Sequence, residues 1–445
     1  MKQENSDKPA SKTLEEVEKE IAGFMKRPGA SVTEKTTPMS KLKQPVDVDY
    51  YYEVNKRFDF WQVQLAGDDA AYYNGHFPQY MHNQIVMPDG PVAELERAID
   101  PRLENLTFTK KDGASTMPLK DFLVGPARKQ AMMMAHKGKV VFEAYPGMNT
   151  NDIHLWMSAG KTTVSLIFTQ LVAEGKVSMD DMTSKHVPQL QGTLWNEIPT
   201  WATATMCVGL DIEETFASII TPGSWINNFH KTFLGDYKTP YMEQLKKVTK
   251  HPSGEKPGGP ATMRYSSGTT LVLQYICEAL ERKPFGVILQ ERVWSKVGFR
   301  NPAFLCLAPD GTGVGYGMFS TTPEDMLRYA MLFTPSWNKV TKEPIVTEKM
   351  MKIYHDTGKP QAYEGSEEQG MATDWYGYAP PANGVQWDNV FDDGAMFKHG
   401  NNGQGIYVDP KRDFCAMGFG SAANTSGIDY APGFMRAAAK MLASH

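Results

Sequence analysis

Apolar positions along this chain follow two different periods, and the period changes with position. Val164, Ile167 and Leu171 recur at three- and four-residue spacing, which sets them on one face of a helix that Glu174-Gly175 closes. Helical patterns also cover about 269–281, 323–333 and 433–443. Elsewhere apolar residues crowd into short runs bounded by turn residues. Residues 131–145 read as two strands about a His136-Lys137-Gly138 turn, and 396–399, 406–409 and 414–420 as three more. Strands towards both ends with helices between them predict an α+β fold. Its antiparallel sheet is assembled from distant segments, flanked by helices, and carries a mainly helical lobe.

The N-terminal region follows neither pattern. Residues 1–45 form a polar arm rich in Lys and Glu, where Thr13-Leu14-Glu15-Glu16 resembles a capping box opening a short helix through Met25. Residues 46–121 begin with a dense aromatic stretch (Tyr50, Tyr51, Tyr52, Phe58, Tyr72, Tyr73). That density predicts an extension packing on the core, with a substrate rim as the alternative.

Composition then narrows the class. At 445 residues the chain is long for one core, so a large two-lobed unit or two domains is expected. With 46 basic and 51 acidic residues the net charge is −5, which argues against nucleic acid or an anionic membrane as the main partner. Cys207, Cys277, Cys306 and Cys415 lie far apart and read as buried apolar residues. His76, His82, His136 and His154 show no repeating ligand spacing, so neither metal nor cofactor is expected. Asp211, Glu213 and Glu214 read as a solvated turn. No apolar run is long enough for a membrane span, and the first residues lack the apolar core of a secretory signal. A cytoplasmic protein is expected, or a periplasmic one if a signal peptide has been removed.

The candidate chemistry lies at Ser158-Ala159-Gly160-Lys161. A serine and a lysine three apart share a helical face, so the amine can reach the hydroxyl. The hydroxyl is a weak nucleophile until a base takes its proton, and a lysine serves only when desolvation or a neighbouring cation lowers its pKa. Helix caps and surface pairs share this spacing, and Ser-x-x-Lys also begins at Ser40, Ser253 and Ser336. Those three lie in charged or Pro-punctuated stretches; only Ser158 opens a long apolar-periodic helix. Two further segments bear on it. Tyr265-Ser266-Ser267 stands at the entry to the next helix, where a phenol can shuttle protons. Lys398-His399-Gly400-Asn401-Asn402-Gly403 is glycine-rich beside a strand, where backbone N–H groups can approach a substrate closely.

Taken in this order, the three segments resemble the serine β-lactamase and penicillin-binding-protein superfamily. Its members show a Ser-x-x-Lys helix start, then Tyr-x-Asn or Tyr-x-Ser, then a Lys-Thr-Gly or His-x-Gly strand. The resemblance runs from about residue 122 to the C-terminus. It is strongest to the class C-like esterases, D-aminopeptidases and linear-amide hydrolases such as the 6-aminohexanoate-oligomer hydrolases. It implies a catalytic domain over 122–445, with its sheet from about 122–157 and 376–445 and its helical lobe over about 176–375. Ser158 would be the nucleophile, Lys161 its partner or base, and Tyr265 the proton relay to the leaving group. Ser267 would contact Lys161 or the substrate. The strand motif is taken as His399-Gly400-Asn401, with His399 in its first position, and the oxyanion hole as the N–H groups of Ser158 and Asn402.

That alignment lacks the lysine at the first position and the glycine at the third that the dedicated β-lactamases carry, which disfavours β-lactams as substrates. The expected function is therefore a metal-independent serine hydrolase acting on a carboxylic ester or small linear amide through an acyl-enzyme. β-Lactamase or D-amino-acid peptidase activity is the alternative among enzymes, and a catalytically silent ligand-binding or sensor protein is the rival from another class. The expected partner is a small-molecule ester or amide, and a homodimer is left open.

Overall fold

The computed structural model describes residues 38–43, 47–58, 63–64, 67–125, 127–259, 261–421 and 429–444. The short helix read at Thr13–Met25 lies outside them. Ten strands are named here in chain order: β1 (Asn83–Val86), β2 (Lys129–His136), β3 (Lys139–Ala144), β4 (His154–Leu155), β5 (Ala303–Cys306), β6 (Phe319–Thr321), β7 (Asn389–Val390), β8 (Met396–Gly400), β9 (Gln404–Asp409) and β10 (Phe414–Gly420). The main sheet is antiparallel, in the order β3-β2-β10-β9-β8-β7. The α+β architecture and the pairing of distant segments are as the apolar pattern predicts. Lys137 and Gly138 both take positive φ, 49° and 73°, the two-residue turn whose twist suits a hairpin.

Both faces of the main sheet are covered, which explains why β2 is a run of apolar residues instead of an alternation. Ala131, Met133 and Ala135 enter a core shared with the Lys161–Ala173 and Pro323–Met331 helices. Met132 and Met134 face a second core beneath the Glu367–Tyr376 and Ala431–Ala443 helices. The β10 residues divide the same way: Cys415, Met417 and Phe419 go to the first core, Phe414 and Ala416 to the second.

A second, four-stranded sheet, ordered β1-β5-β6-β4, differs from the sequence reading. Its strands are two to four residues long and three are separated by helical segments, too short for a period-2 signal to register. β4 pairs His154 with Thr321 and Leu155 with Ser320, and the Trp156 N–H then donates to the Phe319 carbonyl at 2.7 Å. The chain turns sharply here, with Met157 at φ 48°, into the 3₁₀ turn Met157–Gly160 that continues as the Lys161–Ala173 helix. A left-handed non-glycine residue costs roughly 1–2 kcal/mol. Anchoring in β6 and a fully buried helix core (Val164, Leu166, Ile167, Phe168, Leu171) offset that cost.

Candidate active site

Ser158 is half-buried at this turn, and Lys161 directly beneath it is completely buried. The Lys161 ammonium donates to Ser158 Oγ at 3.0 Å, Ser267 Oγ at 2.9 Å and the Tyr316 carbonyl at 2.6 Å. Ser267 is the first residue of the Ser267–Glu281 helix, which Ser266 caps by accepting from the Gly268 N–H. Tyr316 belongs to the turn Gly315-Tyr316-Gly317; a Cβ on Gly160 would lie 3.7 Å from both the Gly315 carbonyl oxygen and the Gly317 carbonyl carbon. Two distant segments are thus clamped onto the Ser158 turn.

Burial pushes the Lys161 amine down to about 7; the Lys398 cation adds to this, while Glu214 and Asp388 oppose it. Glu214 Oε2 accepts from the Ser267 hydroxyl at 2.5 Å and from the Ser267 N–H at 3.0 Å, and Oε1 lies 2.9 Å from His230 Nε2. Although burial works to raise it, the Glu214 carboxyl is held down at about 2, with His230, Lys161 and Ser267 favouring the anion. The Ser267 hydroxyl therefore spends its proton on Glu214 and can only accept from Lys161. A carbonyl can only accept as well. When Lys161 is neutral its two N–H groups serve Ser267 and Tyr316, and its lone pair is left facing Ser158.

Tyr265 is half-buried beside this pair, its ring centroid 5.0 Å from Lys161 Nζ. Burial first, then Asp388 and Glu214, raise its phenol well above 10, so the phenol keeps its proton at neutral pH. Lys398 donates to the Tyr265 oxygen at 3.1 Å and pairs through the same ammonium with Asp388.

Here the structure corrects the alignment of the strand motif. Side chains alternate across β8, so Lys398 faces Tyr265, whereas His399 shares the opposite face with Phe397, and both rings lie against Trp375. Burial and the neighbouring Lys398 drive the His399 imidazole down to about 3, so it stays neutral there. The Lys-x-Gly pattern is carried by Lys398-His399-Gly400, one residue earlier than the sequence reading placed it. Gly400 fits the glycine position: a Cβ there would meet the Trp156 carbonyl at 2.5 Å and the Ala159 nitrogen at 3.1 Å.

Asn402 is buried in a left-handed conformation, φ 64°, and its amide donates to the Val63 carbonyl at 3.0 Å. The Asn401 amide binds Gln64, to the backbone carbonyl at 2.9 Å and the side-chain oxygen at 2.7 Å. The His399 N–H points out of the sheet edge to Asp388 at 2.8 Å. Gly400 is extended (φ −130°, ψ 144°), so alternation brings the next N–H, that of Asn401, to the same edge beside the Ser158 turn.

The structure thus brings Ser158, Lys161, Tyr265, Ser267 and Gly400 together and turns the His399 ring away, while the side chains of Asn401 and Asn402 are held by Gln64 and the Val63 carbonyl. Sequence reasoning missed Lys398, Asp388, Glu214 and Tyr316. The period-2 alternation of β8 separates Lys398 from His399 without saying which of the two faces Tyr265. The others reach the site from separate loops with no local signal.

A cleft of about 220 Å³ opens against Tyr265 and Glu214 and is walled by Arg264, Glu367 and Glu368. Glu368 is 6% exposed, and burial, reinforced by Asp388 and Glu367, pushes its carboxyl up to about 8. Its place in the first turn of a helix favours the anion by about 0.3–1 kcal/mol, less than one pKa unit, so burial prevails. A larger depression of about 420 Å³ beside Trp201, Lys349 and Lys359 contains none of the residues around Ser158. Among the described residues no cluster of three or more His, Cys, Asp or Glu side chains is arranged to hold a metal ion, and no helix is long and apolar enough to cross a membrane.

A strand leading into a serine turn, a buried lysine beneath it and a facing tyrosine define a β-lactamase-type serine hydrolase site. The Beta-lactamase family model matches residues 127–437, and the chain belongs to that family. The 6-aminohexanoate-dimer hydrolase of Paenarthrobacter ureafaciens is 22% identical over 299 residues, covering 64% of this chain and 70% of that protein. Among solved structures, a Bacillus anthracis protein provisionally named 6-aminohexanoate-dimer hydrolase superposes with a TM-score of 0.67 at 18% identity, over 92% of this chain and 99% of that one. A provisionally named β-lactamase from Bacteroides dorei gives 0.54 at 14% identity, over 71% and 94%. At these identities the structural likenesses establish the shared fold.

Proposed function

We propose that the protein hydrolyses a carboxylic ester or small linear amide through an acyl-enzyme on Ser158. One observation carries the reading: with Ser267 bound to Glu214 and Tyr316 offering only a carbonyl, the lone pair of neutral Lys161 has Ser158 as its partner. Lys161 takes the Ser158 proton as Oγ bonds to the substrate carbonyl carbon. The N–H groups of Ser158 and Asn401 receive the developing oxyanion. Tyr265, protonated and backed by the Lys398 cation, gives its proton to the departing oxygen or nitrogen as that bond breaks, and the Lys161 proton returns to the phenolate. Water then adds to the acyl carbon and loses a proton to the same pair; Ser158 recovers its proton as the acid leaves.

Lys398 revives the β-lactamase and D-amino-acid peptidase alternative, because it restores the lysine of the strand motif. Its charge is engaged by Asp388 beneath Tyr265, and the His399 ring is packed against Trp375, so neither is offered to a substrate carboxylate. Linear substrates are therefore preferred, and the name of the Paenarthrobacter relative supports an amide among them. The silent-binder alternative leaves a buried lysine with a pKa near neutrality unexplained. Rapid mixing with p-nitrophenyl acetate should release a burst of about one nitrophenol per site, with an acyl adduct by intact mass that Ser158→Ala lacks. Undiminished turnover by purified Ser158→Ala would remove Ser158 from the mechanism.

A further inference from the structure

The cleft leading to Tyr265 carries more negative charge than its walls neutralise. Arg264 is its basic member, and that guanidinium is bound to Glu255 and lies 3.6 Å from Glu213. Glu214 is committed to Ser267 and His230. That leaves Glu367, exposed at the mouth, and Glu368, which lines the cleft yet is 94% buried by its 6% exposure. The Glu368 carboxyl has no hydrogen bond or ion pair to any other described residue, although its backbone is fixed in the Glu367–Tyr376 helix behind the Ser366 cap. Its oxygens are left open to the cleft and to a donor that enters it.

We propose that Glu368 is a specificity residue that binds an organic cation, a primary ammonium, on the leaving-group portion of the substrate. The proposal rests on the hydrolase reading above. The leaving-group side follows from Tyr265, which lines the same cleft and in that reading protonates the departing atom. Burial keeps the empty Glu368 carboxyl protonated, and a cation entering beside it favours the anion; an ammonium brings that charge together with three donors. A divalent metal would need more ligands than the cleft converges, since no three-carboxylate or histidine cluster occurs among the described residues. A substrate carboxylate would meet the Glu367 charge and would hold Glu368 in its protonated form. The preferred substrates are therefore esters or linear amides of amino alcohols or diamines.

The test compares 6-aminohexyl acetate with heptyl acetate, in which a methyl replaces the ammonium. In the wild type kcat/KM should favour the amine by about tenfold or more, mostly through KM, as a charge-assisted hydrogen bond would give. In Glu368→Gln the ratio should collapse towards about one. A wild-type ratio near one, or a ratio that Glu368→Gln leaves intact, overturns the proposal. Calorimetry of hexylamine with Ser158→Ala, against the same protein carrying Glu368→Gln, reads the subsite without turnover. Binding that Glu368→Gln does not weaken sinks the subsite. Binding lost in Glu368→Gln while the p-nitrophenyl acetate burst is absent from the wild type would fault the catalytic reading and leave the subsite standing.

Discussion

Lys161 owes its proposed role to burial. Its amine has a free value of 10.5 and is brought to about 7, so the neutral form appears as pH rises through about 7. Below that pH the ammonium has three donors and no lone pair, and Ser158 has no base. The acylation limb of kcat/KM should therefore rise through about pH 7, read from a pH–rate profile with a neutral ester. The Glu214 anion raises the Lys161 value, so Glu214→Gln should move that limb to lower pH. A limb that stays in place or moves up would disconnect Glu214 from the base. The linkage to stability has its own sign. A lysine depressed on folding costs nothing above pH 10.5, costs increasingly as pH falls towards 7, and holds a constant cost below that.

At the scale of elements, β8 couples packing to chemistry. Its alternation sends Lys398 to the site and His399 to the Trp375 side, and its last residue must be glycine to pass the Ser158 turn. Gly400→Ala would push the strand off the Trp156 carbonyl and the Ala159 nitrogen. A displacement near 1 Å in an active site can cost on the order of 10²-fold. We expect a loss of at least about tenfold in kcat/KM, visible in steady-state kinetics, with the protein still melting cooperatively. The neighbouring turn is held independently of β8: buried Lys129 pairs with Asp429 at 2.5 Å and donates to the Gly403 carbonyl at 2.6 Å. Wild-type activity in Gly400→Ala would show that the strand tolerates displacement and that the Asn401 N–H is not needed.

Over the whole molecule, the segment ahead of the main sheet is part of the site's support. Val54, Tyr73, Phe77 and Val86 lie in the same core as the Lys161–Ala173 helix, and β1 pairs along β5 from Asn83–Cys306 to Val86–Ala303. Arg57 and Asp69 form a two-point ion pair, and Asp68 binds Arg128 just before β2. Gln64 and the Val63 carbonyl hold Asn401 and Asn402. A chain started at residue 98 should lose its cooperative melt and the p-nitrophenyl acetate burst together, since at about 2–5 kcal/mol each the buried side chains removed match a protein's usual margin of about 5–15 kcal/mol. Calorimetry and burst amplitude measure the two losses. A truncated protein with full burst would make the segment dispensable.

Local chemistry determined much of this protein from sequence alone. The Ser158–Lys161 spacing, the apolar face after it, the 131–145 hairpin and the C-terminal strands depend on contacts between near neighbours, and near neighbours leave a period in the sequence. The two- to four-residue strands of the small sheet leave none, because they are too short for an alternation to register. Only the tertiary structure could choose between Lys398 and His399, since adjacent strand residues face opposite ways and the choice depends on which face meets Tyr265. The same holds for Glu214, which looks like one charge among several in a turn until folding sets it against Ser267. The Lys161 amine is brought towards neutrality for the same reason: burial shifts its pKa, and burial is a property of the assembled core.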